Sequence, residues 1–126
     1  IAEVFVGGNC TVTGVANFNG SVASGNMKVG LANSVGAGVA TSASVSMSAI
    51  TDAYLRVAFT AAVALTGPAT YYVLLMFDNG TARFNTHTIG NFGADKQTGQ
   101  VYATGFTTIT PPTSFVTARG PIATLY

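Results

Sequence analysis

Charged residues are scarce in this chain. Only 7% of its 126 residues are Asp, Glu, Lys or Arg, whereas an ordinary globular domain has about 25%. The net charge is +1 and the basic residues are scattered, so the sequence offers no basic patch and we expect no nucleic-acid partner. The surface must therefore consist largely of Thr, Ser, Asn, Gly and Ala. A surface of this kind favours an oligomer or a large assembly over a free monomer.

Cysteine, histidine and carboxylates are also few, which limits the chemistry available to the protein. The single cysteine, Cys10, excludes an internal disulfide, and we predict that it is a small buried hydrophobe in a strand. One histidine and no Asp-x-Asp pattern argue against a metal site. The acidic residues are too dispersed to suggest a hydrolytic carboxylate pair, and no Gly-x-Ser-x-Gly motif supplies a nucleophile. We therefore predict a protein that is not an enzyme and binds no cofactor.

Long apolar runs are absent as well. No segment approaches the roughly 18 consecutive apolar residues of a membrane-spanning helix, so we expect no membrane insertion. The length suits one domain that covers residues 1–126. Because the chain opens on Ile1 rather than Met, we expect it to be the C-terminal part of a longer polypeptide or a processed product.

Helix patterns are missing, whereas strand patterns are dense. No window places apolar residues at helical spacing under capping residues. Met27, Val29 and Leu31 occupy alternate positions, and so do residues 55, 57 and 59, which is the pattern of strands with one buried face. About seven to nine short strands between turns predict an all-β fold. The expected architecture is a two-sheet antiparallel β-sandwich, for which a jelly roll is one arrangement that would fit.

One strand does not alternate. Residues 71–77 are seven consecutive apolar or aromatic residues, which predicts a strand covered on both faces. In a chain of this size the second cover could be another copy, and we expect a homo-oligomer. The run leads into Asp78, Asn79 and Gly80 and then into the β-prone residues 81–86. Asn-Gly between two such segments predicts a hairpin with a type I′ turn, in which valine at Gly80 would be costly.

Residues 83–102 concentrate side chains that could bind a sugar. Aromatic faces stack on sugar rings, while amide, carboxylate and imidazole groups form hydrogen bonds with hydroxyl groups. The candidate glycan-binding residues are Asn85, His87, Asn91, Phe92, Asp95 and Tyr102. The alternative is an ordinary polar loop, in which His87 makes local hydrogen bonds and Phe92 is an apolar plug at the end of the sandwich.

Several turn and strand motifs resemble those of a known module. They are Gly67-Pro-Ala-Thr-Tyr-Tyr72, Asp78-Asn-Gly-Thr81, Asn91-Phe-Gly93, Gln97-Thr-Gly99, Ile109-Thr-Pro-Pro-Thr113 and Gly120-Pro-Ile-Ala-Thr-Leu-Tyr126. Together they resemble a β-sandwich module at the C-termini of bacteriophage virion proteins, among them minor structural proteins, tail spikes, tail fibres and spikes of phage-like particles. The resemblance covers about residues 25–126 and supplies no catalytic residue.

The resemblance implies a place of action at the virion surface. It implies a domain on a trimeric shaft or particle that contacts other virion proteins and helps attach the particle to its host. With the polar segment, it leads us to expect a non-enzymatic virion domain that binds a host surface glycan. Two alternatives stay open. One is a structural capsid or tail component for trimerisation or stabilisation, and the other is an accessory domain of a polysaccharide-degrading spike with its active site elsewhere.

Overall fold

The computed structural model describes residues 1–48, 50–87, 94–114 and 120–126, and these contain ten strands. The strands are β1 Ala2–Val6, β2 Cys10–Phe18, β3 Asn26–Asn33, β4 Gly38–Thr41, β5 Val45–Ser46, β6 Tyr54–Leu65, β7 Ala69–Phe77, β8 Thr86–His87, β9 Gly120–Pro121 and β10 Ala123–Leu125. The described residues include no helix, and so none that could cross a membrane.

The strands form antiparallel sheets that pack against each other. The large sheet has the order β1-β7-β3-β4, with β5 also paired to β3, and the small sheet has the order β10-β2-β6. A two-stranded ladder joins β8 to β9. The prediction of an all-β sandwich is therefore confirmed. Residues 109–113, which are rich in proline, form no strand, as their sequence predicts.

The main core lies between the two sheets, and its side chains come from the alternating strands. Met27, Val29 and Leu31 of β3 are fully buried there. From the small sheet, β6 contributes Val57 and Phe59 to the same core. The alternation read from the sequence is confirmed, because successive side chains of a strand point to opposite faces and only one face meets the other sheet.

Strand β7 is buried on both faces, as its continuous apolar run predicts. Tyr71 and Val73 belong to the main core, whereas Tyr72 and Leu74 belong to a second, smaller core on the outer face of the large sheet. That second core also contains Ala32, Ile109, Ile1 and Phe106. Phe106 and Ile109 belong to residues 94–114, which we call the cover segment. The second cover is therefore supplied by the same chain.

The hairpin predicted at Asn79 and Gly80 is wrong. Strand β7 pairs with β1 on one side and with β3 on the other, so neither neighbour is the segment that follows the turn. Neither Asn79 nor Gly80 has the positive φ that a type I′ turn requires. The chain leaves the large sheet after Phe77, and its next strand, β8, pairs with β9. Long-range pairing has overridden the local turn signal.

The carboxylate of Asp78 ties the end of β7 to the start of β3. It accepts hydrogen bonds from the backbone nitrogen of Asn26 at 3.0 Å and from the Asn26 side-chain amide at 2.7 Å. These bonds, the backbone one first, lower the pKa of the Asp78 carboxyl below its usual value. Because the folded-state pKa is lowered, the tie stabilises the fold at neutral pH and is lost as the pH falls through that pKa.

The side chain of Asn79 organises the chain beyond the strand. Its Oδ1 accepts hydrogen bonds from the backbone nitrogens of Thr81 at 3.0 Å and Ala82 at 2.9 Å, and from the Thr81 hydroxyl at 2.9 Å. Its Nδ2 donates to the carbonyl oxygen of Ser24 at 3.0 Å. Asparagine thus acts here through its side chain, as in an Asx turn, rather than through a left-handed backbone.

Cys10 is exposed, so the prediction of a buried cysteine is wrong. It is the first residue of β2 and pairs with Leu65, the last residue of β6, at the end of the small sheet. We expect the thiol of the folded protein to react with a thiol reagent at the rate of a free cysteine, because no core surrounds it. Reaction kinetics with and without denaturant test this. A thiol that reacts only after unfolding would contradict the exposed position.

Candidate ligand-binding cleft

A cleft of about 590 Å³ lies on the outer face of the large sheet. Its walls are strand β7, the cover segment and the ladder of β8 and β9. Its apolar lining includes Leu74, Met76, Phe84, Phe106, Ile109 and Pro121, and its polar lining includes Thr86, Asp95, Lys96, Gln97 and Gln100. The volume lies within the range of about 300–1,000 Å³ that is usual for small-molecule sites.

The floor of the cleft follows from the double burial of β7. Leu74 and Met76 occupy alternate positions and therefore share the outer face of the strand. Opposite Leu74 in the ladder stands Gly30, and a side chain there would lie 2.6 Å from the ring of Phe106. The absence of a side chain at Gly30 lets Phe106 pack closely on the sheet beside the buried Ile109. The floor is thus a fixed apolar surface.

Two anchors hold the cover segment in place as one wall of the cleft. The ammonium group of Lys28 donates to the carbonyl oxygen of Tyr102 at 2.7 Å and lies 4.8 Å from the centre of the Tyr102 ring. The hydroxyl groups of Tyr102 and Ser44 share a hydrogen bond of 2.6 Å. Further along, the backbone nitrogen of Ile109 donates to the carbonyl oxygen of Gly36 at 2.9 Å. These contacts give the wall a defined position on the sheet.

The rim of the cleft carries donors and acceptors from the cover segment. The Oε1 atom of Gln100 accepts hydrogen bonds from the backbone nitrogen of Thr107 at 3.1 Å and from its hydroxyl at 3.3 Å. Because both donors of Thr107 point to Oε1, the orientation of the Gln100 amide is defined. The Nε2 atom of Gln100 donates to no other described residue. Asp95 accepts a long hydrogen bond of 3.4 Å from Gln97, and the neighbouring Lys96 is exposed.

A pair of aromatic rings stands at the side of the cleft. Phe77 and Phe84 are stacked, with ring centroids 5.6 Å apart and planes within 2° of parallel. Phe84 remains 37% exposed, and a backbone bridge to Asn19 fixes its position. An exposed ring with one side supported by another ring is suited to stacking on the C–H face of a sugar.

Not all of the candidate glycan-binding residues predicted from the sequence lie in the cleft. Asp95 lines the cleft. Tyr102 does not line it, and both its ring and its hydroxyl hold the cover segment. The side chain of Asn85 donates to the carbonyl oxygen of Asn19 at 3.0 Å and so holds the chain after β7. His87 is exposed on β8. Asn91 and Phe92 lie outside the described residues.

Sequence reasoning missed several residues of the cleft. Met76 and Phe106 form part of its floor, and Lys96 forms part of its rim. The position of Met76 on the outer face could have been predicted, because it lies two residues after Leu74 in a strand predicted to be covered on both faces. Phe106 was not, because nothing local indicates that it packs over a glycine from β3.

The lining of the cleft combines apolar and polar side chains. Among the described residues, no group of three or more His, Cys, Asp or Glu could hold a metal ion. Comparisons of the chain with protein-family models, with curated proteins and with solved structures find no significant match. The chemistry of the cleft and the sequence motifs are therefore the only indications of function.

Proposed function

We propose that this protein is a non-enzymatic virion domain that binds a glycan of the host cell surface in the cleft. The observation that carries the proposal is the combination of an apolar and aromatic floor with a rim of amide, carboxylate and ammonium groups. A sugar ring has C–H faces that pack against apolar and aromatic groups and hydroxyl groups that need donors and acceptors. Both halves of that requirement are met on one surface.

The sequence motifs support the place of action in this proposal. They resemble the C-terminal module of tail fibres, tail spikes and minor structural proteins, whose domains are exposed on the particle. A binding site on a rigid sandwich suits such a position, because the cover segment can vary without changing the main core. The proposed partners are the host glycan, other virion proteins and further copies of this chain, in a trimer.

Glycan binding is tested with an array of bacterial surface polysaccharides and the variant Phe84→Ala. We expect the unmodified protein to bind a subset of the array and Phe84→Ala to bind at least about tenfold more weakly, because one stacked ring is lost. Tyr54→Ala is the matched control, since Tyr54 is an exposed ring outside the cleft that also packs on a second ring, Phe18. Equal binding by all three proteins would place the site elsewhere, and no binding at all would contradict the proposal.

A structural role in assembly is the second candidate, and the surface of β1 favours it. Phe5 is 67% exposed on this strand, which lies at the edge of the large sheet. An exposed edge strand with an apolar side chain can pair with another chain. This structural role is compatible with glycan binding in the cleft.

The corresponding prediction is a homo-oligomer at micromolar concentration. Few charges favour association, and so does the edge of β1, which Ala94 bridges at Ala2 but which no described strand pairs near Phe5. Phe5→Glu should weaken the association. Light scattering of both proteins measures the mass, and circular dichroism checks that the variant is folded. A stable monomer of the unmodified protein would exclude self-association by this chain alone.

A further inference from the structure

The floor of the cleft is more apolar than an unsubstituted sugar requires. Leu74, Met76, Phe106 and Ile109 meet there, and Pro121 adds a further apolar wall. The C–H face of a sugar ring can cover part of this floor, but any hydroxyl group that faces the floor loses water without finding a partner there. An apolar substituent on the sugar would cover the rest of the floor without that cost.

The rim next to this floor offers a specific donor. The Oε1 atom of Gln100 is already occupied by two hydrogen bonds from Thr107, so the two N–H groups of Nε2 are oriented away from that contact. Within the described part of the chain they have no acceptor. A carbonyl oxygen of a ligand would complete the hydrogen bonding of this amide. Asp95, also on the rim, supplies an acceptor for an N–H or O–H group.

We propose that the cleft selects a sugar that carries an acetyl group. The acetyl methyl group lies on the apolar floor, and the acetyl carbonyl oxygen accepts a hydrogen bond from the Gln100 amide. This inference rests on the proposed glycan binding and narrows it to a class of ligand. An N-acetyl and an O-acetyl group share this chemistry, and only the N-acetyl group also offers an N–H to Asp95.

The test uses one array of bacterial polysaccharides printed in four forms. These are the native form, a form treated with mild alkali to remove O-acetyl groups, a form with N-acetyl groups also removed, and that last form after selective N-acetylation. We expect deacetylation to weaken binding at least about tenfold, since a buried methyl group and a hydrogen bond are lost together. Loss of binding after the alkali treatment identifies an O-acetyl group. Loss at the second step with recovery after N-acetylation identifies an N-acetyl group.

The outcomes separate this inference from the proposed function. Binding in the cleft that is equal for all four forms would overturn the acetyl requirement and leave glycan binding intact. No binding to any form would overturn both. A saturation-transfer NMR spectrum of the bound oligosaccharide adds a direct readout, because the acetyl methyl protons should receive the strongest transfer.

The variant Gln100→Glu tests the donor. It keeps an acceptor for Thr107 but removes the N–H groups, so we expect at least about tenfold weaker binding of the acetylated form and no comparable loss for the deacetylated form. Thr60→Glu is the matched control, because it adds the same charge at an exposed position on the small sheet. Equal losses in both variants would show a general charge effect and overturn the role of Gln100. Thermal unfolding of each variant confirms that it is folded.

Discussion

Alanine in place of Gly25 is expected to lower the free energy of unfolding by about 2–4 kcal/mol. Gly25 has a φ of +73°, a conformation that residues with a side chain rarely adopt. A methyl group there would also collide with the side chains of Asp78 and Asn79, which tie the end of β7 to the start of β3. The change therefore strains the backbone and disrupts a hydrogen-bonded contact. Denaturant unfolding measures the loss.

Gly80→Ala is the control for this prediction. A methyl group at Gly80 would have no atom within 4 Å, and its φ is not positive. We expect a change of about 0.5 kcal/mol or less, as is usual for surface substitutions, and Gly80→Val should also be tolerated. This reverses the result expected from a type I′ hairpin. If Gly80→Ala lowered the free energy of unfolding more than Gly25→Ala, a type I′ hairpin at Asn79-Gly80 would be favoured over the observed pairing of β7.

The second large effect is expected from Leu74→Ala, with a loss of about 2–4 kcal/mol in the free energy of unfolding. Leu74 is 1% exposed, although it lies on the outer face of the large sheet. Its burial is due to the cover segment, so truncation leaves a cavity beneath Phe106 and Ile109. The size of the loss therefore measures how firmly the cover segment is held in solution. Equilibrium unfolding gives this number directly.

Leu31→Ala provides the comparison, because Leu31 is fully buried in the main core between the sheets. Similar losses for Leu74→Ala and Leu31→Ala would mean that the outer core is as well packed as the inner one. A loss below about 1 kcal/mol for Leu74→Ala alone would show that water already reaches this leucine. In that case the cleft would not have the rigid floor on which glycan binding depends.

The strands and their buried faces could be predicted because they depend on local patterns. Met27, Val29 and Leu31 alternate with residues on the other face, and the pleat of a strand requires that spacing. The unbroken apolar run of β7 similarly predicted its double burial. By contrast, the Asn79-Gly80 pair was a misleading signal. The local turn preference of two residues is weaker than the pairing of β7 with both β1 and β3.

By itself, the sequence determined the all-β class, the alternation of the core strands and the charge-poor surface, since each depends on residue type and on spacing of two. Only the tertiary structure decided which strands pair with β7, that Cys10 is exposed and that Phe106 packs over Gly30 to form a cleft. Lys28 and Tyr102, which hold the wall of that cleft, are far apart in the sequence. Contacts of this kind are made between distant segments, and neither segment carries a pattern that specifies its partner.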